Sequence, residues 1–484
     1  MKHRTLPLLL ALLLLTASCG EAAVTPSDTD GTTKADTDTA ADTTAPGYDY
    51  PSADYGGHEF VFLNVTETSW ANDLLAPEET TGDLINDILF ARNGRIEERY
   101  NITIREDKQA MNDIPNILRQ TVTAGDDTYD ACMLPIHKAS GIISENYVLD
   151  LSTVEALNLD EPWWDQAVID ACTINGHTYM ATSDINFFPF EATWAIFFNE
   201  SMMDDLKLDY PYQLVRDGEW TIDKLYEYAK AGAALNSDSG YTPFNITDGT
   251  ARYGFCSHHD FPLALIVGSG GRFASLENDT AVFSADSEKM FNLYEKITWL
   301  TSAEGTYYNW DSTIGAGSTI AAQFMNGRFM MASETLGYLE KLRDMDDFGV
   351  LPIPKYDDTQ ENYYSIIASY GTTMTTIPAS CGDARRSGVI LDAMAYDSYV
   401  NLMEPYYELY LTQKGVRNED SAEMLSIIRE SRTIATDVAL GWTSSLHEKL
   451  KAKLKLGESD VASLIEGQKS ASLAKIEETL TKMN

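Results

Sequence analysis

The chain has 484 residues, with 35 basic and 74 acidic side chains and a formal net charge of −39. A chain of this length can hold two or more domains with a large core. The acidic excess argues against nucleic acid or an anionic membrane surface as a partner, because both require basic patches. It favours neutral or cationic ligands.

The first residues have the pattern of an export signal. Two basic residues precede an apolar run from Leu6 to Leu15, which is too short to span a bilayer comfortably. Small residues then lead to Cys19, an order that resembles a bacterial lipobox, although Thr16 stands where a Leu is typical. Residues 1–18 are therefore predicted to be a signal peptide, cleaved just before a lipidated Cys19. Ordinary cleavage to a free secreted protein is the alternative.

A polar segment follows the cysteine. Residues 19–57 are rich in Asp, Thr, Ala, Pro and Gly and contain few large aliphatic side chains. Such a composition cannot bury enough surface to offset the entropy of ordering, so we predict a lipidated Cys19 and a disordered stalk. An anchor and a stalk place the body at the cell surface, on the outer face of the cytoplasmic membrane, or in the periplasm.

The body begins with alternating strands and helices. Strands are predicted at His58–Val65, Tyr100–Arg105 and Tyr129–Leu134, with helices from Asp83 and over Ile114–Val122 between them. This order implies a mostly parallel sheet covered by helices. Ligands of such sheets bind beyond the carboxyl ends of the strands.

The later part of the body contains further strands and then mainly helices. Strands are predicted at Ala192–Asn199 and Gly349–Ile353, a helix after Thr221, and helical periodicity from Arg385 to Leu480. Trp299 fits the apolar face of a helix and is predicted to lie in the core. The widely spaced cysteines of the body, Cys132, Cys172, Cys256 and Cys381, permit either buried thiols or two disulfides.

Several short motifs then occur in a characteristic order. They are Ile85-Asn86-Asp87, Arg92-Asn93, Tyr129-Asp130, Gly218-Glu219-Trp220-Thr221, Phe324–Met331, Gly349-Val350-Leu351-Pro352 and Tyr370-Gly371-Thr372. With these motifs the body resembles the bacterial extracellular solute-binding proteins of family 1, the carbohydrate-type substrate-binding lipoproteins of ABC importers. The resemblance implies an α/β, two-lobe periplasmic-binding-protein-like fold of type II. In that fold, hinge segments link the lobes and the ligand lies in the cleft between them.

The resemblance also implies where the lobes begin and end. Residues 58–183 are expected to form the first part of lobe 1, and residues 184–370 the main part of lobe 2. Residues 371–400 return to lobe 1, and the helices of residues 401–484 belong mainly to lobe 2. The chain is expected to cross between the lobes near Ala181–Ala195, Ile366–Thr373 and Tyr396–Glu404.

Aromatic side chains are the first candidates for binding, because flat rings stack on the apolar face of a sugar. Trp70 lies in a polar loop after the first strand, and Trp310 follows a polar stretch that is typical of a binding loop. Trp164 is half of a Trp-Trp pair of which one ring is expected to be buried and the other exposed. Trp442 among the last helices and Tyr370 in the returning segment complete the set.

Polar side chains are the second group of candidates, on the strength of the resemblance. His137 and Lys138 follow the third strand, and Asp184 lies in the first crossing. Glu191 stands just before the apolar strand, where the family often places a ligand-contacting carboxylate. Glu334 follows a strand end that faces the cleft in relatives.

The resemblance implies a monomeric binding protein that is not an enzyme and needs no cofactor. Its partners would be a sugar or oligosaccharide, an ABC permease, and the membrane through the lipid anchor, with no nucleic acid. A peptide, polyamine or polyol phosphate ligand is the alternative, and a surface-anchored glycoside hydrolase is less well supported, although chance carboxylate pairs are abundant. The segment Ser257-His258-His259-Asp260 has metal-binding residue types, but adjacent histidines rarely share one face, so we expect no metal site.

Overall fold

A computed structural model describes residues 47–66, 75–186, 188–241, 249–277, 280–310, 319–345, 347–406 and 419–483. The predicted signal peptide, the lipidation site Cys19, most of the predicted stalk and Trp70 lie outside these residues. Tyr48–Asn484 form one unit.

The strands of the described residues are short and alternate with helices. In chain order they are β1 (His58–Val65), β2 (Ile102–Gln109), β3 (Ala131–Pro135), β4 (Thr173–Ile174), β5 (His177–Thr178), β6 (Trp194–Asn199), β7 (Tyr253–His258), β8 (Ala274–Glu277), β9 (Thr280–Phe283), β10 (Tyr307–Trp310), β11 (Phe329–Thr335), β12 (Phe348–Leu351), β13 (Ser365–Ile366), β14 (Thr373–Thr376) and β15 (Arg432–Thr433).

The α-helices of the described residues cover the sheets and dominate the last hundred residues. They are α1 (Leu84–Tyr100), α2 (Ile114–Ala124), α3 (Ala139–Ser144), α4 (Gln166–Cys172), α5 (Phe188–Glu191), α6 (Glu200–Leu206), α7 (Tyr212–Arg216), α8 (Ile222–Gly232), α9 (Phe261–Gly268), α10 (Glu288–Ser302), α11 (Ile320–Met325), α12 (Ala384–Asn401), α13 (Glu419–Glu430), α14 (Thr436–Ala439), α15 (Ser444–Leu454) and α16 (Ala462–Met483). Short 3₁₀ turns occupy Ile136–Lys138, Leu151–Thr153 and Leu336–Leu342.

Four strands form the first sheet, in the order β14-β3-β1-β2. β1 runs parallel to β2 and β3, whereas β14 is antiparallel to β3. Both faces of β1 are buried, because Leu63 and Val65 pack in one apolar cluster and Phe60 and Phe62 in another. A strand buried on both faces needs apolar residues at consecutive positions, which is the pattern that His58–Val65 shows.

Five strands form the second sheet, in the order β10-β7-β11-β6-β12. β7 is parallel to β10 and β11, and β6 is antiparallel to its neighbours β11 and β12. β6 alternates between two clusters, with Ile196 and Phe198 on one face and Ala195 and Phe197 on the other. The described residues therefore form a mixed α/β structure with two main sheets, accompanied by the two-stranded sheets β4-β5, β8-β9 and β13-β15.

Side-chain caps explain where the long helices begin. Asp83 accepts hydrogen bonds from the backbone N–H groups of Ile85 and Asn86, at 3.1 and 3.0 Å, at the start of α1. Thr221 accepts from the N–H of Lys224 at the start of α8. Such caps satisfy backbone donors that have no partner inside the helix.

The end of the predicted stalk packs against the body, which corrects the predicted boundary at Gly57. The ring of Tyr48 stacks on Tyr396 with centroids 4.8 Å apart and meets Trp163 edge-on at 5.3 Å. Tyr50 meets Tyr396 edge-on at 5.8 Å. These ring contacts join Tyr48 and Tyr50 to the body, about ten residues before the predicted boundary.

The expectation that one ring of the Trp163–Trp164 pair is exposed is wrong. The two residues are 3% and 1% exposed, and both indole N–H groups donate to Oδ1 of the buried Asp392, at 2.9 Å each. Asn158 donates to the same carboxylate through its backbone N–H and its side chain. One carboxylate thus satisfies both indoles, which allows both rings to be buried.

Trp299 is also placed differently from the prediction. Its side chain is 46% exposed and stacks on Tyr226 of α8 with ring centroids 3.6 Å apart. The ring of Tyr226 therefore covers one face of the indole. The apolar periodicity of α10 predicted burial of Trp299, but one covered face leaves the other exposed to solvent.

The four cysteines of the body are free, with Cys132, Cys172 and Cys256 buried and Cys381 half-buried. Burial raises the pKa of the Cys132 thiol to about 12, so this thiol is protonated at neutral pH. Among the described residues, no helix combines the length and the apolar character needed to cross a membrane.

The C-terminal helices contact the cores of both sheets. Trp442 and Ile476 pack in the apolar cluster that contains Leu63 of β1. Leu446 and Leu450 of α15 pack in the cluster of the second sheet. The assignment of residues 401–484 mainly to lobe 2, and the other lobe boundaries, remain predictions.

Candidate functional site

The carboxyl ends of the first sheet meet at one edge. β1 and β2 are in register, so that Val65 at the end of β1 lies beside Gln109 at the end of β2. β3 ends at Pro135, which pairs with Thr373, the first residue of the antiparallel strand β14. The chain therefore enters β14 at the edge where the parallel strands end.

The second sheet has the same arrangement. β7 and β10 end together, because His258 pairs with Trp310. β11 ends at Thr335, which pairs with Trp194, the first residue of the antiparallel strand β6. The chain thus enters β6 at the edge where the parallel strands of this sheet end.

Two extended segments connect these edges. Ala181 pairs antiparallel with Thr375 beside the first sheet, and Thr193 pairs antiparallel with Ile367 beside the second. The segments between these pairs, residues 182–192 and 368–374, are called the first and second crossing segments below. Both sheets point their carboxyl ends toward them, and ligands of α/β sheets bind at such edges.

Arg92 of α1 holds the first crossing segment in place. Its side chain is 1% exposed, and Nη1 donates to the carbonyl of Ile185 at 2.6 Å and to Ser398 Oγ at 3.0 Å. Nη2 donates to the carbonyl of Leu75 at 2.8 Å. Burial lowers the pKa of Arg92 to about 10, which leaves it charged at neutral pH.

His137, Lys138 and Tyr370 lie together at the edge of the first sheet. His137 and Lys138 form the turn that follows β3, and the His137 ring lies 4.9 Å from the ring of Tyr370 on the second crossing segment. Tyr370 is 64% exposed. Burial, with a smaller contribution from Lys138, lowers the pKa of His137 to about 4, so its imidazole is neutral at physiological pH.

Glu191 ends the first crossing segment at the edge of the second sheet. Its Oε1 accepts a hydrogen bond of 2.9 Å from the hydroxyl of Tyr406, which is itself 1% exposed. Gly337, in the turn after β11, packs beside Glu191. A buried phenol thus fixes the direction of a half-buried carboxylate.

Glu334 lies on β11, one residue before its end. The side chain is 7% exposed, and burial raises the pKa of its carboxyl to about 7, with His258 and Lys341 acting in the opposite direction. Trp310 lies at the end of β10, so the second edge carries an aromatic ring as well as the two carboxyl groups. Trp310 is only 7% exposed, because it packs against Tyr308 and Phe329.

Asp184 lies at the start of the first crossing segment but is engaged in ion pairing. Its carboxylate is 3.4 Å from Arg429 of α13, and burial raises its pKa while Arg429 lowers it. Nearby, Arg432 pairs with Asp165 at 2.6 Å. These four residues line a cavity of about 620 Å³ that Trp164 also borders.

Trp164 and Trp442 are almost completely buried in this structure, and their assignment as binding residues stays a prediction. Trp164 is held by Asp392, as described above. Trp442 is 4% exposed, and its indole N–H donates to Thr479 Oγ1 of α16 at 3.1 Å. In each case a polar partner distant in sequence satisfies the indole nitrogen and permits full burial.

Buried polar atoms at these edges include two, on Thr372 and Asn309, that sequence reasoning had not connected with binding. Asn186 Oδ1 on the first crossing segment, Thr372 Oγ1 on the second and Asn309 Oδ1 on β10 are buried without a hydrogen-bond partner among the described residues, as is Nδ1 of His137. Buried polar atoms are usually paired, so this group has unused hydrogen-bonding capacity. The position of Asn309 near the end of β10 could have been found from the sequence. The burial of Asn186 and Thr372 could not, because it depends on how the two crossing segments pack.

The carboxyl edges of both main sheets meet the same two crossing segments, and this arrangement is that of the two-lobe binding proteins. The family model of the bacterial extracellular solute-binding proteins matches residues 94–402, and the chain belongs to this family. The family and the two-lobe type II fold expected from the sequence motifs are thereby confirmed.

Solved structures share the fold at low sequence identity. UspC of M. tuberculosis is 15% identical with a TM-score of 0.57, covering 86% of this chain and 100% of that one. The galacto-N-biose-/lacto-N-biose I-binding protein of the ABC transporter from Bifidobacterium longum is 11% identical with a TM-score of 0.55, covering 88% and 98%. The cyclic alpha-maltosyl-1,6-maltose binding protein from Arthrobacter globiformis is 14% identical with a TM-score of 0.55, covering 87% and 100%. No curated protein matches the chain.

Proposed function

We propose that this protein captures a sugar or oligosaccharide between its lobes and delivers it to the permease of an ABC importer. The observation that carries the proposal is the 64% exposed ring of Tyr370 on the second crossing segment. An exposed aromatic face between two sheet edges suits stacking on a pyranose ring. The B. longum and A. globiformis proteins, which share the fold, are described as binding sugars.

Polar groups at the two sheet edges and on the crossing segments would bind the hydroxyl edge of the sugar. The carboxyl group of Glu191 accepts hydrogen bonds, and Lys138 donates them. Asn186, Thr372 and Asn309 add amide and hydroxyl groups with unused hydrogen-bonding capacity. Glu334, Trp310, Asp184 and Trp70 remain candidates for the same cleft. In this proposal the protein binds and releases the sugar unchanged.

Ligand screening by thermal unfolding tests the sugar assignment. We expect the chain from residue 20 onward to unfold at a higher temperature with one class of sugar. A ligand that binds only the folded state, at a hundred times its Kd, stabilises by about 2.7 kcal/mol. The panel contains maltotetraose, lacto-N-biose and simple monosaccharides. Spermidine, short peptides and polyol phosphates represent the alternative ligand classes.

The outcomes of the screen separate the alternatives. A shift with a sugar that chromatography recovers intact supports the proposal. A hydrolysed sugar means a glycoside hydrolase, and a shift only with spermidine, a peptide or a polyol phosphate contradicts the sugar assignment while leaving the fold unaffected.

The N-terminal motif supports attachment of the body to the outside of the cytoplasmic membrane by a lipid on Cys19. We expect labelled fatty acid, supplied to a bacterium that expresses the chain, to be incorporated into the wild type and not into the Cys19→Ala variant. Cys381→Ala is the matched control, because it removes a cysteine from the body and leaves the motif intact. Equal fatty-acid incorporation into the Cys19→Ala variant and the wild type would contradict lipid anchoring.

A further inference from the structure

The end of β7 brings two histidines and a carboxylate together, although they are consecutive in sequence. The rings of His258 and His259 have centroids 3.7 Å apart. Oδ2 of Asp260 lies 3.7 Å from Nδ1 of His258 and 3.6 Å from Nε2 of His259. Adjacent residues of a strand point to opposite faces, but His258 is the last residue of β7 and the chain turns at His259, so both rings reach the same carboxylate.

The distances between the imidazole nitrogens and the Asp260 oxygen are close to those between the ligand atoms of a bound metal ion. One nitrogen from each imidazole and one oxygen from Asp260 all lie within 4.8 Å of one another. Ligands about 2.0–2.2 Å from a tetrahedral Zn²⁺ are separated by roughly 3.3–3.6 Å. Small side-chain rotations therefore bring the three donor atoms to coordinating distance.

A second residue orients the carboxylate. Lys451 of α15 donates to Oδ1 of Asp260 at 2.7 Å and to Glu448 at 2.9 Å. Because Lys451 engages Oδ1, the other oxygen is directed toward the imidazoles, and groups that hold a ligand in this way are a regular part of metal sites. Glu448 offsets the positive charge that Lys451 brings near the site.

The donor set selects the class of ion. Imidazole nitrogens suit Zn²⁺, Cu²⁺ and Ni²⁺, whereas Mg²⁺ and Ca²⁺ prefer sites made of oxygen atoms alone. The side chains of His258, His259 and Asp260 are 34%, 39% and 32% exposed. Solvent therefore reaches the cluster and can supply the remaining coordination positions.

We propose that His258, His259 and Asp260 bind one divalent transition-metal ion, with Zn²⁺ as its representative, at the carboxyl edge of the second sheet. The site lies beside the end of β10, because His258 pairs with Trp310. It is defined independently of the sugar proposal. The overall charge of −39 favours accumulation of cations around the protein.

Calorimetric titration tests the metal site. The full chain, purified without a histidine tag and freed of metal with EDTA, is titrated with ZnCl₂ and, separately, with MgCl₂. We expect one Zn²⁺ per chain and no binding of Mg²⁺. His258→Ala and His259→Ala are each expected to weaken Zn²⁺ binding at least tenfold, and the Co²⁺-loaded protein should lose its visible absorption in the same variants.

His177→Ala is the matched control. Its imidazole lies 2.7 Å from Asp150, so the variant removes a histidine from another imidazole–carboxylate pair. It should bind Zn²⁺ as tightly as the wild type, and circular dichroism should show that each variant is folded. The proposal is overturned if wild-type protein binds no Zn²⁺. The ammonium group of Lys451 would then be the cation that Asp260 pairs with. Unchanged binding in the His258→Ala/His259→Ala double variant would equally overturn it.

Discussion

Replacing Tyr370 with Ala should weaken binding of the sugar identified by thermal screening about tenfold to a hundredfold. The 64% exposed ring is placed by the second crossing segment, and loss of an aromatic contact of this kind costs roughly 1–3 kcal/mol of binding free energy. Because the phenol ring lies at the surface, its removal should change the free energy of unfolding by about 0.5 kcal/mol or less. Isothermal titration of wild type and variant measures the affinity.

Two control variants distinguish stacking from a general loss of aromatic surface. Tyr370→Phe keeps the ring and should bind within a few-fold of the wild type. Trp299→Ala removes another exposed ring, which lies near the end of α10, shortly before β10 begins. That position is at the amino end of β10, opposite the proposed site, so affinity should be unchanged. Equal affinities of Tyr370→Ala and wild type would exclude Tyr370 from the site.

Replacing Asp392 with Ala should lower the free energy of unfolding by about 3–5 kcal/mol, because buried donors lose their partner. Asp392 is fully buried and accepts hydrogen bonds from the indole N–H groups of Trp163 and Trp164, at 2.9 Å each. It also accepts from the side-chain amide of Asn158 at 2.6 Å. Denaturant titration followed by tryptophan fluorescence reports both the stability and the environment of the indoles.

The controls for Asp392 separate hydrogen bonding from net charge. Asp392→Asn keeps an acceptor oxygen and should lose less stability than the alanine variant. Glu155→Ala also removes one negative charge, but its ion pair with Arg385 is exposed, so it should cost at most about 1 kcal/mol. A loss for Asp392→Ala no larger than that of Glu155→Ala would show that the carboxylate does not hold the tryptophan pair.

Much of the fold could be predicted from the sequence because its causes are local. β1 matches the predicted strand His58–Val65, and α8 starts after Thr221, as predicted. Apolar patterns and helix caps act over a few residues, so they can be recognised without knowledge of the neighbours in space. The order of short motifs also led to the family, since it reflects the succession of strands and helices.

The candidate site was only partly predictable. The resemblance pointed to His137 after the third strand and to Glu334 at a strand end, and the positions where the chain crosses between the lobes remain predictions. Burial of Trp164 could not be anticipated, because its partner Asp392 lies 228 residues further along the chain. The hydrogen bond from Tyr406 to Glu191 likewise joins residues 215 positions apart.

The sequence by itself determined the class of protein, the identity of the main strands and the acidic character of the body. Only the tertiary structure decided which aromatic rings are exposed, that Tyr48 and Tyr50 pack against the body and that His258, His259 and Asp260 converge. The physical reason is that exposure and hydrogen-bond pairing depend on segments far apart in the chain. Tyr48 is ordered because Tyr396 lies beside it, and Tyr370 is exposed because the second crossing segment carries it between two sheet edges.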